Sequence, residues 1–233
     1  MSTVSSHAAA RFMPHQAWGF FVYSTIGILH VVAISLRCEA LEHSTKLLLM
    51  PVLAIAVWTA SAGARRTWPF VLLVAAFVFS WFGDAPATLL PFLPETPGML
   101  AGFALTHVCF LVLFIGAIGT GRPKPWALVY LLWWVVLLVV LLPSFGALLP
   151  AVAVYGLLLG GMATAATRCH PLVIAGSVLF VISDTVLAFR LFRPEIMPFW
   201  TSLAVMVTYI AGQGLIAAGT VTVLLARPRP AAS

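Results

Sequence analysis

The sequence predicts an all-α membrane protein, with eight transmembrane helices in a single bundle and both termini cytoplasmic. Composition is the first reason. Of 233 residues, 62% are hydrophobic and only 8% are charged, where a soluble domain averages about 25% charged. Too little polar surface remains to cover a globule. Segment length is the second reason. The apolar residues fall into stretches of about 20, which is what a hydrocarbon core of roughly 30 Å requires. A third observation points towards function. The chain has two aspartates, Asp84 and Asp184, and both lie in apolar segments. A carboxylate at the centre of a membrane helix costs roughly 2.5–3.5 kcal/mol on insertion scales, and acids at that depth face a cavity or a partner.

The spans are read at about 17–36, 45–63, 68–85, 98–119, 125–142, 146–167, 170–192 and 199–225. The first is too long for the roughly 7–15-residue apolar core of a signal peptide, and no small-x-small site follows it. Ala62 to Arg66 ends the second. Pro86, Pro91, Pro94 and Pro97 break the link after the third. Gly121-Arg122-Pro123-Lys124-Pro125 ends the fourth, Pro143 to Gly146 the fifth and Arg168 to Pro171 the sixth. Arg193-Pro194-Glu195 precedes the eighth. Residues 1–16 and 227–233 are short polar ends flanking a transmembrane domain at 17–226.

The net charge is +6, but the basic residues stand singly at segment ends and form no stripe for nucleic acid. They orient the bundle instead. Arg11, Arg65, Arg66, Arg122, Lys124, Arg168, Arg227 and Arg229 gather on one side, against Arg37, Lys46, Arg190 and Arg193 on the other. The richer side is cytoplasmic by the positive-inside rule. Trp68, Trp126 and Trp200 near span ends fit interfacial anchors. Cys38, Cys109 and Cys169 have no paired spacing, so neither a disulfide framework nor a zinc site is expected.

At 1.5 Å per residue, Asp84 lies about 24 Å and Asp184 about 21 Å from the cytoplasmic starts of the third and seventh spans. His107, Tyr155, Tyr209 and Gln213 fall within about 5–10 Å of that level, and Lys46 enters from the same side. The inner half is almost free of ionisable groups. One pocket open to the outer face is expected. FVFSWFGD and LFVISD each end an apolar run with Asp, a short hint of two parallel four-helix halves.

Structural readings compete for each residue. Asp184 also suits a structural acid bonded to hydroxyls, and Gly83 and Pro86 predict a helix end where Asp84 meets interfacial water. His107 also suits a packed histidine. Lys46 and Arg190 also suit cations snorkelling at the interface. Arg190 is six residues from Asp184, about 120° around the helix, so the two are not expected on one face. Glu39, Glu42, Glu95 and Glu195 are expected in solvated loops. Gly160-Gly161 with nearby alanines predicts close helix packing.

Six pieces then coincide in order: TKLLLMP at 45–51, SWFGD at 80–84, FALTH at 103–107, Tyr155 with Met162, GSVLFVISDTVLAF at 176–189, and TYIAGQGLI at 208–216. On these the chain resembles the YhhN-like membrane proteins, which include the lysoplasmalogenases, from the second span to the eighth. Phe110 stands where the family usually has Tyr, and Met99 where it usually has Gly. The resemblance implies an eight-helix fold and hydrolysis of the vinyl-ether bond of lysoplasmalogens, giving a fatty aldehyde and a glycerophospho-alcohol.

That chemistry suits two carboxyl groups. Protonation of the vinyl ether at its β-carbon leaves an oxocarbenium ion, water adds, and the hemiacetal collapses to aldehyde. One acid must donate a proton, and a second carboxylate steadies the cation, as in two-carboxylate glycosidases. No cofactor, metal or nucleotide is required. Asp184 is read as the general acid and Asp84 as its ionised partner, although the reverse order fits the sequence as well. Lys46, His107, Tyr155, Ser183, Tyr209 and Gln213 are the expected supporting or substrate-binding residues. The expected partners are a lysophospholipid and the lipid bilayer, with no nucleic acid. The expected location is the bacterial inner membrane. A proton-coupled carrier using the same acids is the alternative, as is a non-catalytic lipid-binding protein. A dry inner half argues against a through-path.

Overall fold

The computed structural model describes residues 14–85 and 94–226, with side chains from residue 17. The polar ends, apart from the first turn of the first helix, and Pro86 and Pro91 lie outside the described residues. Eight α-helices are described: α1 (Pro14–Ser35), α2 (Glu39–Ala60), α3 (Trp68–Asp84), α4 (Glu95–Leu113), α5 (Leu128–Phe145), α6 (Leu149–Ala166), α7 (Pro171–Phe192) and α8 (Trp200–Ala226). No strand occurs among the described residues.

By length and composition, six stretches can cross a membrane. α1, α2, α7 and α8 qualify singly, and α4 qualifies with the π-helical turn Phe114–Ile118 that extends it. Pro125–Ala166 forms one apolar stretch of 42 residues holding both α5 and α6. α3, at 17 residues, falls short of the length required. The eight expected spans are therefore six by this measure. A short 3₁₀ turn, Gly146–Leu148, joins α5 to α6 with no loop residue between them, although Gly146 itself leaves helical geometry. α2 also starts six residues earlier than expected. Glu39 and Glu42 read as loop residues, yet both sit in its first turn, where carboxylates suit the positive end of the helix dipole.

Proline marks the helix starts, where its missing N–H costs nothing. Pro69, Pro150 and Pro171 occupy the first turns of α3, α6 and α7, and the His170 ring accepts the Leu172 N–H at 3.3 Å to cap α7. Pro51 is different, because it lies inside α2. It has no N–H to give the Leu47 carbonyl one turn earlier. The Trp81 indole N–H on α3 takes that carbonyl instead, at 3.0 Å. α2 and α3 are thus joined one residue from Lys46 and three from Asp84.

Two further contacts set the helix spacing around the site. A Cβ on Gly102 would come within 2.5 Å of the Gly83 backbone nitrogen, so α3 and α4 touch main chain to main chain. A Cβ on Gly176 would come within 2.6 Å of the Gly212 carbonyl, and α7 and α8 touch likewise. The Gly160-Gly161 pair does not do this. Its nearest neighbours lie 3.7 and 3.9 Å away, an ordinary contact. Phe77, Phe110, Phe114 and Phe180 fill the centre, fully buried. Leucines and valines along α5, such as Leu128, Leu132 and Val139, face outward, as lipid contact allows.

Candidate active site

Asp84 is the last residue of α3 and is 5% exposed. It does not simply meet interfacial water. Tyr209 of α8 donates its hydroxyl to Oδ2 at 2.9 Å. The Lys46 ammonium of α2 lies 3.6 Å from Oδ1. Both carboxylate oxygens therefore face donors, one of them a cation. The Gly83–Gly102 contact and the bond from Trp81 to the Leu47 carbonyl hold α3 against α4 and α2 at this level.

Asp184 sits in the C-terminal half of α7 and is 9% exposed. Tyr155 of α6 donates to its Oδ2 at 2.5 Å. His107 of α4, fully buried, places Nε2 at 3.2 Å from the Tyr155 oxygen and 3.5 Å from the same Oδ2. The Tyr155 proton is committed to Asp184, so His107 carries its hydrogen on Nε2 and directs it at this pair. Oδ2 thus takes the Tyr155 hydrogen bond and has the His107 ring nitrogen close by. Among the described residues no hydrogen bond reaches Oδ1.

The two acids line one polar cavity of about 170 Å³ between α2, α3, α4, α7 and α8. Phe180 separates the two donor sets below it. Its ring centroid lies 5.6 Å from Tyr209 and 5.0 Å from His107. Phe103 packs edge-on against Tyr209 and Phe180 and also lines the cavity.

Not every expected residue touches an acid. Ser183 lines the cavity, but its hydroxyl is given to the Val205 carbonyl at 2.9 Å, tying α7 to α8. Gln213 lies one turn below Tyr209. Its amide donates to Ser80 at 2.9 Å, and Ser80 meets Thr106 at 3.1 Å. Thr106 in turn reaches the Gly102 carbonyl at 3.1 Å, so this chain links α8, α3 and α4 beneath the site. Both residues support the site rather than line up with the acids.

Three polar residues of the cavity were not expected there. Arg190 lines it together with Asp184, correcting the helical-wheel separation. The wheel measures the direction of a Cβ, whereas an arginine reaches several ångströms further and bends around the helix. Glu42 and Ser202 line it too. Of the two departures from the family pattern, Phe110 is fully buried, stacked on Phe114 with centroids 5.6 Å apart, and lies away from both acids. Met99 lines a second cleft that reaches Asp184 from the opposite side.

A family model, that of the YhhN family, matches residues 41–220. The chain belongs to the YhhN family. This is the lysoplasmalogenase family, and the match spans every residue named in the site. Neither the curated proteins nor the solved structures contain a match to the chain. Membership of the YhhN family and the apolar helices together make it a multi-pass integral membrane protein.

Proposed function

We propose that this YhhN-family protein hydrolyses the vinyl-ether bond of a lysoplasmalogen, with Asp184 as general acid and Asp84 as the ionised partner. The supporting observation is the inequality of two acids that share one cavity. Asp84 has a lysine ammonium beside it and a phenol on its other oxygen, a setting that suits a standing negative charge. Asp184 has no Lys or Arg within ion-pair distance among the described residues. Its donors, Tyr155 and His107, both gather on Oδ2, which leaves Oδ1 to carry a proton into the cavity.

The reaction then runs as follows. Oδ1–H protonates the β-carbon of the alkenyl chain, and the electron pair of the double bond forms the new C–H bond. The ether oxygen shares its lone pair with the adjacent carbon, giving the oxocarbenium ion. Asp184 is left as a carboxylate, steadied by the O–H of Tyr155 and the N–H of His107. Asp84 faces the cation and takes a proton from the water that attacks it. As the hemiacetal collapses to aldehyde, Asp84 gives its proton to the departing oxygen and Asp184 regains one from the hemiacetal hydroxyl, releasing the glycerophospho-alcohol and restoring both acids. The net change consumes one water.

The same reading has eight passes. At about 1.5 Å per residue, 42 residues would extend about 63 Å, twice the hydrocarbon thickness. Gly146 (φ 51°) sits where the chain reverses, and α5 packs against α6. The reading also places both termini in the cytoplasm, and the protein in the bacterial inner membrane. Purified protein supplied with lysoplasmalogen in deuterated water tests the chemistry. It is expected to release aldehyde carrying deuterium next to the carbonyl. An aldehyde without that deuterium would rule out proton transfer to carbon.

A further inference from the structure

We infer that the substrate lies across Asp184 as a single-chain phospholipid, its phosphate held by Arg190 and its hydrocarbon tail in the cleft between α5, α6 and α7. This rests on the lysoplasmalogenase reading and adds how the substrate is recognised.

Asp184 stands between two different environments. On one side is the polar cavity, with Lys46, Arg190, Glu42 and Ser202 in its wall. On the other is an almost wholly apolar cleft walled by Met99, Trp133, Trp134, Leu138, Val152 and Leu191. The two share three residues: Phe103, Asp184 and Leu187. An amphiphile that runs from one to the other must pass the acid. The bond cleaved in a lysoplasmalogen lies where its tail meets its polar part, so this arrangement puts the scissile bond at Asp184.

Arg190 supplies the polar end. Lys46 already has Asp84 as a partner. Arg190 is half-buried, donates to the Thr201 hydroxyl at 2.7 Å, and has no carboxylate within ion-pair distance among the described residues. A cation in that state at a cavity wall suits a phosphate, which its planar fork matches in two-point contact.

The cleft is walled for a flexible chain. The Trp133 and Trp134 indoles are fixed by bonds to Thr185 at 2.9 Å and to the Ala153 carbonyl at 3.0 Å, so their rings form a firm wall. Trp134 also lies directly over Gly156, where an added Cβ would come within 2.7 Å of the ring. Met99 and Leu100 of α4 also line the cleft, and Met99 is a side chain that changes rotamer readily to admit a tail. The free space is small, about 40 Å³, so the tail must part these side chains. A wider apolar groove of about 560 Å³ lies between α1 and α8, but neither acid lines it.

Two measurements test the assignment. The first is independent of turnover. A saturated-ether lysophospholipid with a diazirine at the end of its tail is photolysed on the purified protein, and the labelled residues are mapped by mass spectrometry. Labels are expected on α5 and α6 around Leu138 and Val152. Labels concentrated on the α1–α8 groove, around Ile28 and Val207, or spread evenly over the outer surface would overturn the tail site. The second uses ratios of kcat/KM. Leu138→Trp should shift the long-chain to short-chain ratio at least about 10-fold towards short chains, and Met99→Gly should shift it the other way. Arg190→Gln should lower the ratio of phosphate-bearing to phosphate-free alkenylglycerol about 10-fold or more, and Arg190→Lys should recover most of it. Equal losses on both members of either pair would overturn that end of the assignment. If the wild-type protein releases no aldehyde from any alkenyl lipid, the hydrolysis reading fails, and the photolabel alone decides whether the cleft binds a tail.

Discussion

Asp84 and Asp184 are held by partner sets that interchange when the two halves of the bundle are interchanged. Take α1–α4 and α5–α8 as the halves. Asp84, on α3, is met by Lys46 from α2 and Tyr209 from α8. Asp184, on α7, is met by Tyr155 from α6 and His107 from α4. Each acid thus takes one partner from the second helix of its own half and one from the fourth helix of the other. The glycine contacts follow the same rule, α3 on α4 and α7 on α8. The halves differ in chemistry rather than in plan. The second-helix partner is an ammonium for Asp84 and a phenol for Asp184, and the fourth-helix partner is a phenol for Asp84 and an imidazole for Asp184.

The two tyrosines should therefore differ in what they lose. On the proposed mechanism Asp184 gains negative charge as its proton leaves, so the Tyr155 hydrogen bond strengthens on the way to the transition state. Hydrogen bonds to charged groups contribute about 1.5–3 kcal/mol. Tyr155→Phe should lower kcat by about 10–100-fold with little change in KM. Asp84 is already charged before the proton leaves Asp184 and stays charged until water attacks the cation, so Tyr209→Phe should lower kcat less. Steady-state kinetics on both variants checks this, and a larger kcat loss in Tyr209→Phe would reverse the assignment of the two acids.

The bond between Trp81 and the Leu47 carbonyl gives a prediction about stability. Trp81→Phe leaves that carbonyl without a partner, at a cost of about 1–3 kcal/mol. Pro51→Ala restores a backbone N–H one turn away, and the helix can then satisfy Leu47 itself. The double variant should be less destabilised than Trp81→Phe alone. Thermal unfolding in detergent measures the difference. Simple additivity would mean that the indole does not substitute for the missing helical bond.

The glycines separate into two kinds. Gly102→Ala and Gly176→Ala each place a methyl against backbone at 2.5–2.6 Å, and overpacking of this sort costs about 1–3 kcal/mol. Both should lower thermal stability and activity together, because the shifted helices carry the acids. Gly160→Ala and Gly161→Ala should be neutral or slightly stabilising, since their nearest neighbours lie 3.7 and 3.9 Å away and Ala is the better helix former. Melting temperatures of the four variants test the division.

These cases show what was legible in the sequence and why the rest was not. The acids stood out because a carboxylate in an apolar run violates the composition around it, and counting residues from the span starts was enough to bring them to one cavity. Tyr155 and Tyr209 were found by the same depth argument. Arg190 was missed because a helical wheel treats a long flexible side chain as a point. Gly160-Gly161 misled because composition marks small residues without saying which face they occupy. The apolar cleft left no trace, since Trp133, Leu138 and Val152 read the same whether they face lipid or a substrate tail. The count of spans was blurred at Gly146, where a three-residue turn joins two helices with no polar loop between them.

Topology has its own prediction. Positions 95 and 122 flank the fourth helix, and the charge asymmetry puts Arg122 inside. With the native cysteines replaced, Glu95→Cys should react with an impermeant maleimide in intact cells, and Arg122→Cys only after permeabilisation. Reaction at 122 in intact cells would mean that the cavity opens to the cytoplasm.

The acids themselves carry the last prediction. Asp84→Asn and Asp184→Asn should each lower hydrolysis by at least about 10²-fold, the lower end for general acid–base catalysis. Folding should survive both, because an amide costs less in lipid than a carboxylate and still hydrogen-bonds. The Asp184 variant keeps an acceptor for Tyr155 but has no proton to give, so no substrate should escape its effect. The Asp84 variant still has an acid but loses the charge opposite the cation, and it leaves Lys46 unpaired beside the reacting carbon, so its loss should be at least comparable. A saturated ether or an acyl ester of equal length should bind to the wild type without reacting, since neither forms an oxocarbenium ion by protonation at carbon. Near wild-type rates in both Asn variants would make the pair structural. Equal cleavage of ester and vinyl ether would point to a nucleophile instead, and the serines that line the cavity are Ser183 and Ser202.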